Sequence, residues 1–273
     1  MPETALPDTA PEQRTEEEPG ARMSFFEHLV DLRKRLVNSF IAIGIGMLIG
    51  FFAAKYVIDY VVGPVRMALR ANGLQDSVYY SSLQGYVGLY INLSFYLGLV
   101  LAMPVVLHQV WLFVAPGLYK HERRAVTSFI FSSMALFVCG VTFGYFILLP
   151  RVLNFLIRFA SGGPIKPLIS INEYFELVLA VLVGLGLIFE LPVLIFILSV
   201  FGIVTPRFLL RNFRYGMLII TIVAAIVTPT PDATTMLVFM APMVVLYFVG
   251  VLVSYIVVRR KKAKALNKGE KAG

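Results

Sequence analysis

Two acidic residues lie among basic ones, where a carboxylate can bind a cation. Asp31 precedes a basic run that ends at Arg35, and Glu122 lies within YKHERR. Two carboxylates on one surface could each receive a guanidinium group in a two-pronged hydrogen-bonded fork, which lysine cannot form. The alternative is local: Asp31 could pair with Arg35 four residues on, and Glu122 with a neighbouring base, each pair contributing about 0.3–0.5 kcal/mol. The residues alone favour the local pairs and leave the cation site open.

A third acid, Glu190, lies deep inside an apolar segment. Placing an acid in the middle of a membrane helix costs about 2.5–3.5 kcal/mol, so such a residue usually faces a bundle interior, a wet cavity or a partner. Pro192 adds a second disturbance, because it leaves the carbonyl of Ile188 without its helical donor. Either the carboxyl is hydrogen-bonded inside the bundle for packing, or it contacts a partner; we favour the functional interpretation.

Other patterns give no support to enzymatic chemistry. The glycine-rich stretch 44–50 has the wrong spacing for a nucleotide loop, and no Walker A sequence is present. Gly46 with Gly50, and Gly140 with Gly144, are instead typical of surfaces where helices pack closely. The three histidines lack metal-ligand spacing, and no nucleophile–base pair is visible. The sequence therefore predicts a protein that is not an enzyme and needs no cofactor or metal.

These residues are held in an unusually apolar chain. Hydrophobic residues make up 58% of its 273 residues, charged residues 15%, and the mean hydropathy is +0.80. Continuous apolar runs of about 20 residues can cross a hydrocarbon layer roughly 30 Å thick as helices. We therefore predict an all-α, polytopic membrane protein with six transmembrane helices. The predicted segments are 37–58, 84–107, 125–149, 174–201, 214–228 and 236–258.

The basic residues predict the orientation. With both termini inside, 18 of the 24 Lys and Arg residues lie on the cytoplasmic side, as the positive-inside rule requires. The net charge of +8 is concentrated in short segments beside the apolar runs, which favours an anionic leaflet and argues against nucleic acid as a partner. We expect both termini in the cytoplasm.

The chain divides into a membrane domain and two tails. Residues 1–23 are rich in Pro, Glu and Thr, and they predict a disordered cytoplasmic tail. The six-helix domain covers 24–258 and opens with an interfacial helix, since Ser24 and Glu27 have capping-box spacing. Residues 259–273 predict a basic, frayed cytoplasmic tail.

Two features predict that the bundle is not a set of straight spans. Only thirteen residues, 215–227, separate Arg214 from Thr228, or about 20 Å of helix, which is short for a full crossing. Pro104, Pro192 and Pro242 fall within other segments and should kink them. We therefore expect a kinked, concave bundle with a short fifth span.

Four motifs occur in an order that resembles the TatC family, the multispanning subunit of the twin-arginine protein translocase. They are HLVDLRKR at 28–35, QVWLFVAPGLYKHERR at 109–124, FELP at 189–192 and TPTPD at 228–232. The likeness covers about residues 24–258, and the second motif is the most specific.

The resemblance implies a receptor for the twin-arginine signal of folded cargo proteins. By position, Glu122 would bind an arginine of that signal and Asp31 would assist, although the family commonly has Glu there. Arg33 and Phe113 match motif positions associated with the same surface.

The resemblance also implies partners in the membrane. Glu190 would be a polar residue exposed on a concave intramembrane face, where a small single-span subunit of the TatA or TatB type docks. Pro64 resembles a functionally sensitive position in the first outside loop, and Asp232 matches the last short outer turn. The family implies a larger, self-associating complex in the bacterial inner membrane, with export driven by the proton-motive force.

A different class of protein remains an alternative. An ion-coupled small-solute transporter could use Glu190 as its proton or cation site. Such transporters usually contain internal repeats with ionisable groups at corresponding positions, and none is visible in this sequence.

Overall fold

The computed structural model describes residues 25–80, 84–114, 123–162, 168–228 and 232–270. These residues form nine α-helices and one π-helical turn, joined by short connections. An isolated parallel bridge between Tyr79 and Ser170 ties two connections together. The helices are α1 (Phe25–Ala71), α2 (Gly85–Val114), α3 (Arg123–Phe143), α4 (Leu149–Ser161), α5 (Ile171–Ile188), α6 (Leu191–Val200), α7 (Pro206–Arg211), α8 (Phe213–Val227) and α9 (Ala233–Glu270), with the π-turn at Gly144–Leu148 between α3 and α4.

The crossings agree with the predicted six. Five helical stretches are long and apolar enough to span a membrane, namely Leu29–Ala71, Gly85–Phe113, Ile130–Ser161, Ile171–Val200 and Ala233–Lys261. The remaining apolar helix, α8, has 15 residues and is about 22 Å long. The predicted all-α polytopic class and the short fifth crossing are both confirmed.

Several boundaries differ from the predicted ones. The interfacial helix and the first span form one continuous α1 of 47 residues. The third crossing continues through the π-turn to Ser161. Its last part, α4, extends past the apolar run and carries Arg151 and Arg158. The last helix runs to Glu270, so the basic segment from Arg259 is helical rather than frayed along its described length. Residues 1–23 lie outside the described residues.

Large apolar side chains cover the outside of the bundle. Phe40, Leu48, Phe131 and Ile226 are 64%, 65%, 73% and 77% exposed. On a water-soluble protein such a surface would be a large exposed apolar patch, whereas in a bilayer it faces lipid. The exposure pattern therefore agrees with a multi-pass membrane protein.

Glycines set the closest helix contacts, as the spacing predicted. At the crossing of α1 and α2, a Cβ on Gly50 would lie 2.5 Å from the Ser94 carbonyl oxygen, and one on Gly98 would lie 2.5 Å from the Met47 nitrogen. On α3, a Cβ on Gly140 would lie 2.6 Å from the Leu185 carbonyl oxygen. A larger residue at these positions would push α1 away from α2, and α3 away from α5.

Buried side chains form two separate clusters. The larger one joins α1, α2, α4, α5, α6, α8, α9 and the π-turn. The smaller one, which we call the α2–α3–α6 cluster, contains Leu107, Trp111, Ile130, Phe137, Val193 and Ile197. The smaller cluster includes Val193 and Ile197, in the first turns of α6 after the break between α5 and α6.

Candidate functional site

Glu190 lies in the turn that divides the fourth crossing into α5 and α6. Helix α5 ends at Ile188, and α6 begins at Leu191 with Pro192 in its first turn, where a missing N–H costs nothing. The Leu194 N–H donates to the Glu190 carbonyl at 2.9 Å and starts the new helix. The Glu190 side chain makes no capping bond to α6, so its carboxyl is left to contact α3. The predicted interruption at Pro192 is confirmed.

A buried chain of hydrogen bonds ends on this carboxyl. The indole N–H of Trp111, on α2, donates to Ser133 Oγ on α3 at 2.6 Å. The Ser133 hydroxyl in turn donates to Glu190 Oε2 at 2.6 Å. Trp111, Ser133 and Glu190 are 7%, 0% and 8% exposed. Three crossings are thereby joined by one polar chain inside the bundle.

The second carboxyl oxygen of Glu190 is not satisfied within the described residues. Oε1 is buried and has no hydrogen-bond partner there. Leaving a buried acceptor unpaired costs about 1–3 kcal/mol. A donor that reached Oε1 would recover this energy, so the site is chemically suited to a polar contact.

The expected exposure of Glu190 was wrong. Its side chain is 8% exposed, and Ser133 donates a hydrogen bond to it from α3. Its neighbours Leu187 and Leu194 are 46% and 47% exposed, so the carboxyl lies just beneath an apolar outer surface. A hydrogen bond inside the bundle, the alternative considered for this acid, is present.

Asp31 makes the local ion pair that its spacing allowed. Arg35 donates through Nε to Asp31 Oδ2 at 2.7 Å, and the two side chains are 19% and 21% exposed for Arg35 and Asp31. Arg33 is exposed on the same helix. The pair therefore lies partly open, at the end of the bundle where α1 begins.

The second predicted signal-binding acid cannot be placed beside Asp31. Glu122 lies outside the described residues, between the end of α2 at Val114 and the start of α3 at Arg123. Phe113 is partly buried in the last turn of α2. Two of the motif residues therefore lie on α1 and one at the end of α2.

Pro64 and Asp232 have clear structural surroundings. Pro64 lies inside α1, which runs to Ala71, so this part of the predicted first outside loop is helical. Tyr145 donates to the carbonyl of Tyr60 at 2.7 Å, the carbonyl that Pro64 leaves without its helical donor. Asp232 Oδ1 accepts from the Thr235 N–H at 2.7 Å and caps the start of α9.

Sequence reasoning missed the two residues that hold Glu190. Trp111 was visible within the second motif, and its indole N–H is a donor that needs a partner when buried. Ser133 was the less obvious one, a small hydroxyl inside an apolar run. A search for polar residues that could satisfy Glu190 from a neighbouring span would have found it. Among the described residues, no group of three His, Cys, Asp or Glu could hold a metal.

Comparison with known proteins agrees with this architecture. A family model described as "Sec-independent protein translocase protein (TatC)" matches residues 27–242. The chain belongs to the TatC family. TatC proteins are non-enzymatic subunits of a protein translocase, and this membership gives no support to a small-solute transporter.

Individual TatC relatives match nearly the whole chain. TatC of Koribacter versatilis (strain Ellin345) is 41% identical over 268 residues, covering 97% of this chain and 98% of the relative. TatCy of Bacillus subtilis (strain 168) is 34% identical and covers 92% and 97%.

Solved structures match the fold as well. A crystal structure described as twin arginine translocase receptor TatC has a TM-score of 0.73 and 32% identity, covering 85% of this chain and all of that one. A second crystal structure of the receptor, in DDM, has a TM-score of 0.74 and 32% identity, covering 84% of this chain and 99% of that one.

Proposed function

We propose that this chain is the receptor subunit of a twin-arginine translocase, binding the signal peptide of folded cargo at the face that carries Asp31 and Glu122. The observation that carries the proposal is the likeness to crystal structures of the twin arginine translocase receptor over most of the chain. The motif residues Arg33 and Phe113 complete the proposed surface.

The Asp31–Arg35 pair supports a cation site rather than opposing one. Arg35 contacts Asp31 through one donor, Nε, and the pair is partly exposed. An ion pair four residues apart on a helix contributes about 0.3–0.5 kcal/mol, so we expect an arginine of the signal to displace Arg35 at small cost. In the free receptor, Arg35 occupies the position of the incoming guanidinium.

Crosslinking to a twin-arginine signal peptide tests the receptor assignment. Photoreactive residues at positions 31, 113 and 122 should capture the peptide, and Glu122→Ala should weaken capture while the protein still accumulates in membranes. Arg35→Gln removes the internal competitor and should leave capture equal or stronger. Glu173→Ala, at an exposed acid in the first turn of α5, is the matched control. Undiminished capture by both Glu122→Ala and the double variant with Asp31→Ala would refute the assignment.

Glu190 is proposed as the contact for a single-span partner of the TatA or TatB type. Its unpaired Oε1 needs a donor, and the apolar surface at Leu187 and Leu194 offers a helix-sized docking face. Glu190→Ala should reduce crosslinking from position 187 to such a partner more than it reduces folded protein. Normal export by that variant would count against the role. Pro64 and Asp232 are proposed to act at the opposite end of the bundle.

The chain is proposed to lie in the bacterial inner membrane, with both termini in the cytoplasm, within a self-associating complex. The basic segments at the α1 and α9 ends support this orientation. Cys139 is the only cysteine, so Cys139→Ser gives a clean background for new cysteines at positions 77 and 263. An impermeant reagent added outside intact cells should label position 77 and spare position 263. The reverse pattern would overturn the orientation.

A further inference from the structure

Trp111 and Ser133 lie between the proposed signal-binding surface and Glu190. Trp111 is in the last turn of α2, two residues before Phe113, and Ser133 is on α3. Their side chains continue to Glu190 at the α5–α6 break through the two hydrogen bonds of 2.6 Å. A movement of the α2 end therefore acts directly on the carboxyl.

Each hydrogen bond in this chain fixes the next. An indole N–H can only donate, a hydroxyl can accept one bond and donate another, and a carboxylate can only accept. If Trp111 withdraws, Ser133 loses its donor, and its hydroxyl is no longer held in the direction of Glu190. With all three groups buried, water does not readily replace a lost link, and each unpaired group costs about 1–3 kcal/mol.

Trp111 also packs against α6. Trp111 belongs to the α2–α3–α6 cluster, which is distinct from the larger core. Val193 and Ile197 of α6 pack in the same cluster, so displacement of the Trp111 indole alters the packing of the helix that follows Glu190. Hydrogen bonding and packing therefore both link the end of α2 to the region of Glu190 and α6.

We propose that Trp111 and Ser133 are positioning residues that couple signal binding at the α2 end to the carboxyl of Glu190. The inference rests on the proposed receptor function. Because such coupling is reciprocal, a partner that binds at Glu190 must change signal affinity by the same factor as signal binding changes the affinity for that partner. Direct evidence for such a path requires a measured interaction between the two sites.

A double-mutant cycle on peptide affinity supplies that measurement. Full-length protein in lipid nanodiscs is titrated with a dye-labelled twin-arginine signal peptide, and the Kd is read from anisotropy. Glu190→Gln, which keeps the shape and removes the charge, should change the Kd by about five-fold, near the low end of known couplings. In a Ser133→Ala background the same substitution should change the Kd by less than about two-fold, since the link is already broken.

Two further variants separate coupling from a general structural role. Ser94→Ala removes another buried serine, which donates only to the backbone carbonyl of Tyr90, and it should leave the Glu190→Gln effect intact. Trp111→Phe removes the donor while keeping an aromatic ring, and it should reproduce Ser133→Ala. Gel filtration in detergent checks that each variant is folded.

Trp111 also provides a direct readout, because it is the only tryptophan in the chain. A tryptophan-free twin-arginine peptide should change its emission, and a peptide with both arginines replaced by lysine should not. Full additivity of Glu190→Gln with Ser133→Ala, or an unchanged emission on saturation with peptide, would overturn the coupling. If the peptide does not bind the wild-type protein at all, the receptor function itself fails, which is a different outcome.

Discussion

Tyr145 donates a hydrogen bond of 2.7 Å to the carbonyl of Tyr60, the carbonyl that Pro64 deprives of its helical donor. The two tyrosine rings are stacked, with centroids 6.1 Å apart and planes at 16°. Tyr145 lies on the π-turn, a local widening that is often found at functional positions in helices. Tyr174 donates to the next carbonyl, that of Val61. Two other helical segments therefore supply side-chain donors to the carbonyls of α1 one turn before Pro64.

The Tyr145–Pro64 relationship predicts a rescue. Tyr145→Phe should destabilise the protein by about 1 kcal/mol, because the Tyr60 carbonyl loses its donor. In that background Pro64→Ala restores a backbone N–H and should recover most of the loss. Unfolding by denaturing detergent measures both effects. If the double variant is as unstable as the sum of the single ones, the hydrogen bond does not replace the missing helical donor.

Glycine substitutions should separate the α1–α2 contact from general helix effects. Gly98→Ala places a Cβ 2.5 Å from the Met47 nitrogen and 2.6 Å from its Cα, so the helices must move apart and thermal stability should fall. Gly44→Ala meets nothing within 4 Å and should be neutral or stabilising by up to about 1 kcal/mol. A melting curve in detergent compares the two. Equal melting temperatures for both variants would show that the close approach contributes little.

Asp232 should tolerate another capping residue. Asp232→Ala removes the acceptor for the Thr235 N–H and should destabilise the start of α9 by about 1 kcal/mol. Asp232→Asn keeps an oxygen at the cap and should retain most of that stability. Hydrogen exchange of the first turn of α9 reports the change. Export lost in Asp232→Asn with normal protection there would indicate that the charge acts beyond capping.

The pKa of Asp76 should depend on Arg70. Arg70 donates through Nε to Asp76 Oδ2 at 2.8 Å, and this hydrogen bond lowers the pKa of Asp76 below its ordinary value of 3.8. A lowered pKa means that the pair stabilises the folded chain above about pH 3.8, and that this contribution disappears as the pH falls through the lower folded value. The contact is exposed, so salt should weaken it.

Carboxyl NMR of labelled aspartate measures the pKa of Asp76. Arg70→Gln should raise that pKa toward 3.8, while Arg66→Gln should raise it less, because Arg66 acts only through its charge. An unchanged pKa of Asp76 in Arg70→Gln would show that the Arg70–Asp76 ion pair does not lower that pKa.

The sequence was sufficient for the features that depend on composition and spacing. Long apolar runs predict the crossings, thirteen residues between Arg214 and Thr228 predict the short α8, and the Gly46–Gly50 spacing predicts a close helix contact. All three are present. Each of these properties is local, so it can be seen without knowing which helices are neighbours.

The features that depend on neighbours could not be predicted in the same way. The resemblance placed Pro64 in a loop, and only the structure shows that it lies inside α1, where the distant Tyr145 donates to the carbonyl that proline leaves without its helical donor. Glu190 was expected to be exposed, and only the placement of Ser133 beside it shows that it is covered. Both features involve hydrogen bonds between distant parts of the chain, which leave no pattern in the sequence around either residue.

The length of α1 has a mechanical consequence. Its 47 residues make a shaft of about 70 Å, more than twice the thickness of a hydrocarbon layer of roughly 30 Å. Pro64 is the only proline within it, so no proline bends the stretch between Asp31 and Pro64. We therefore expect a tilt at the Asp31 end to be transmitted along this stretch, and Pro64 to be the first place where α1 can bend.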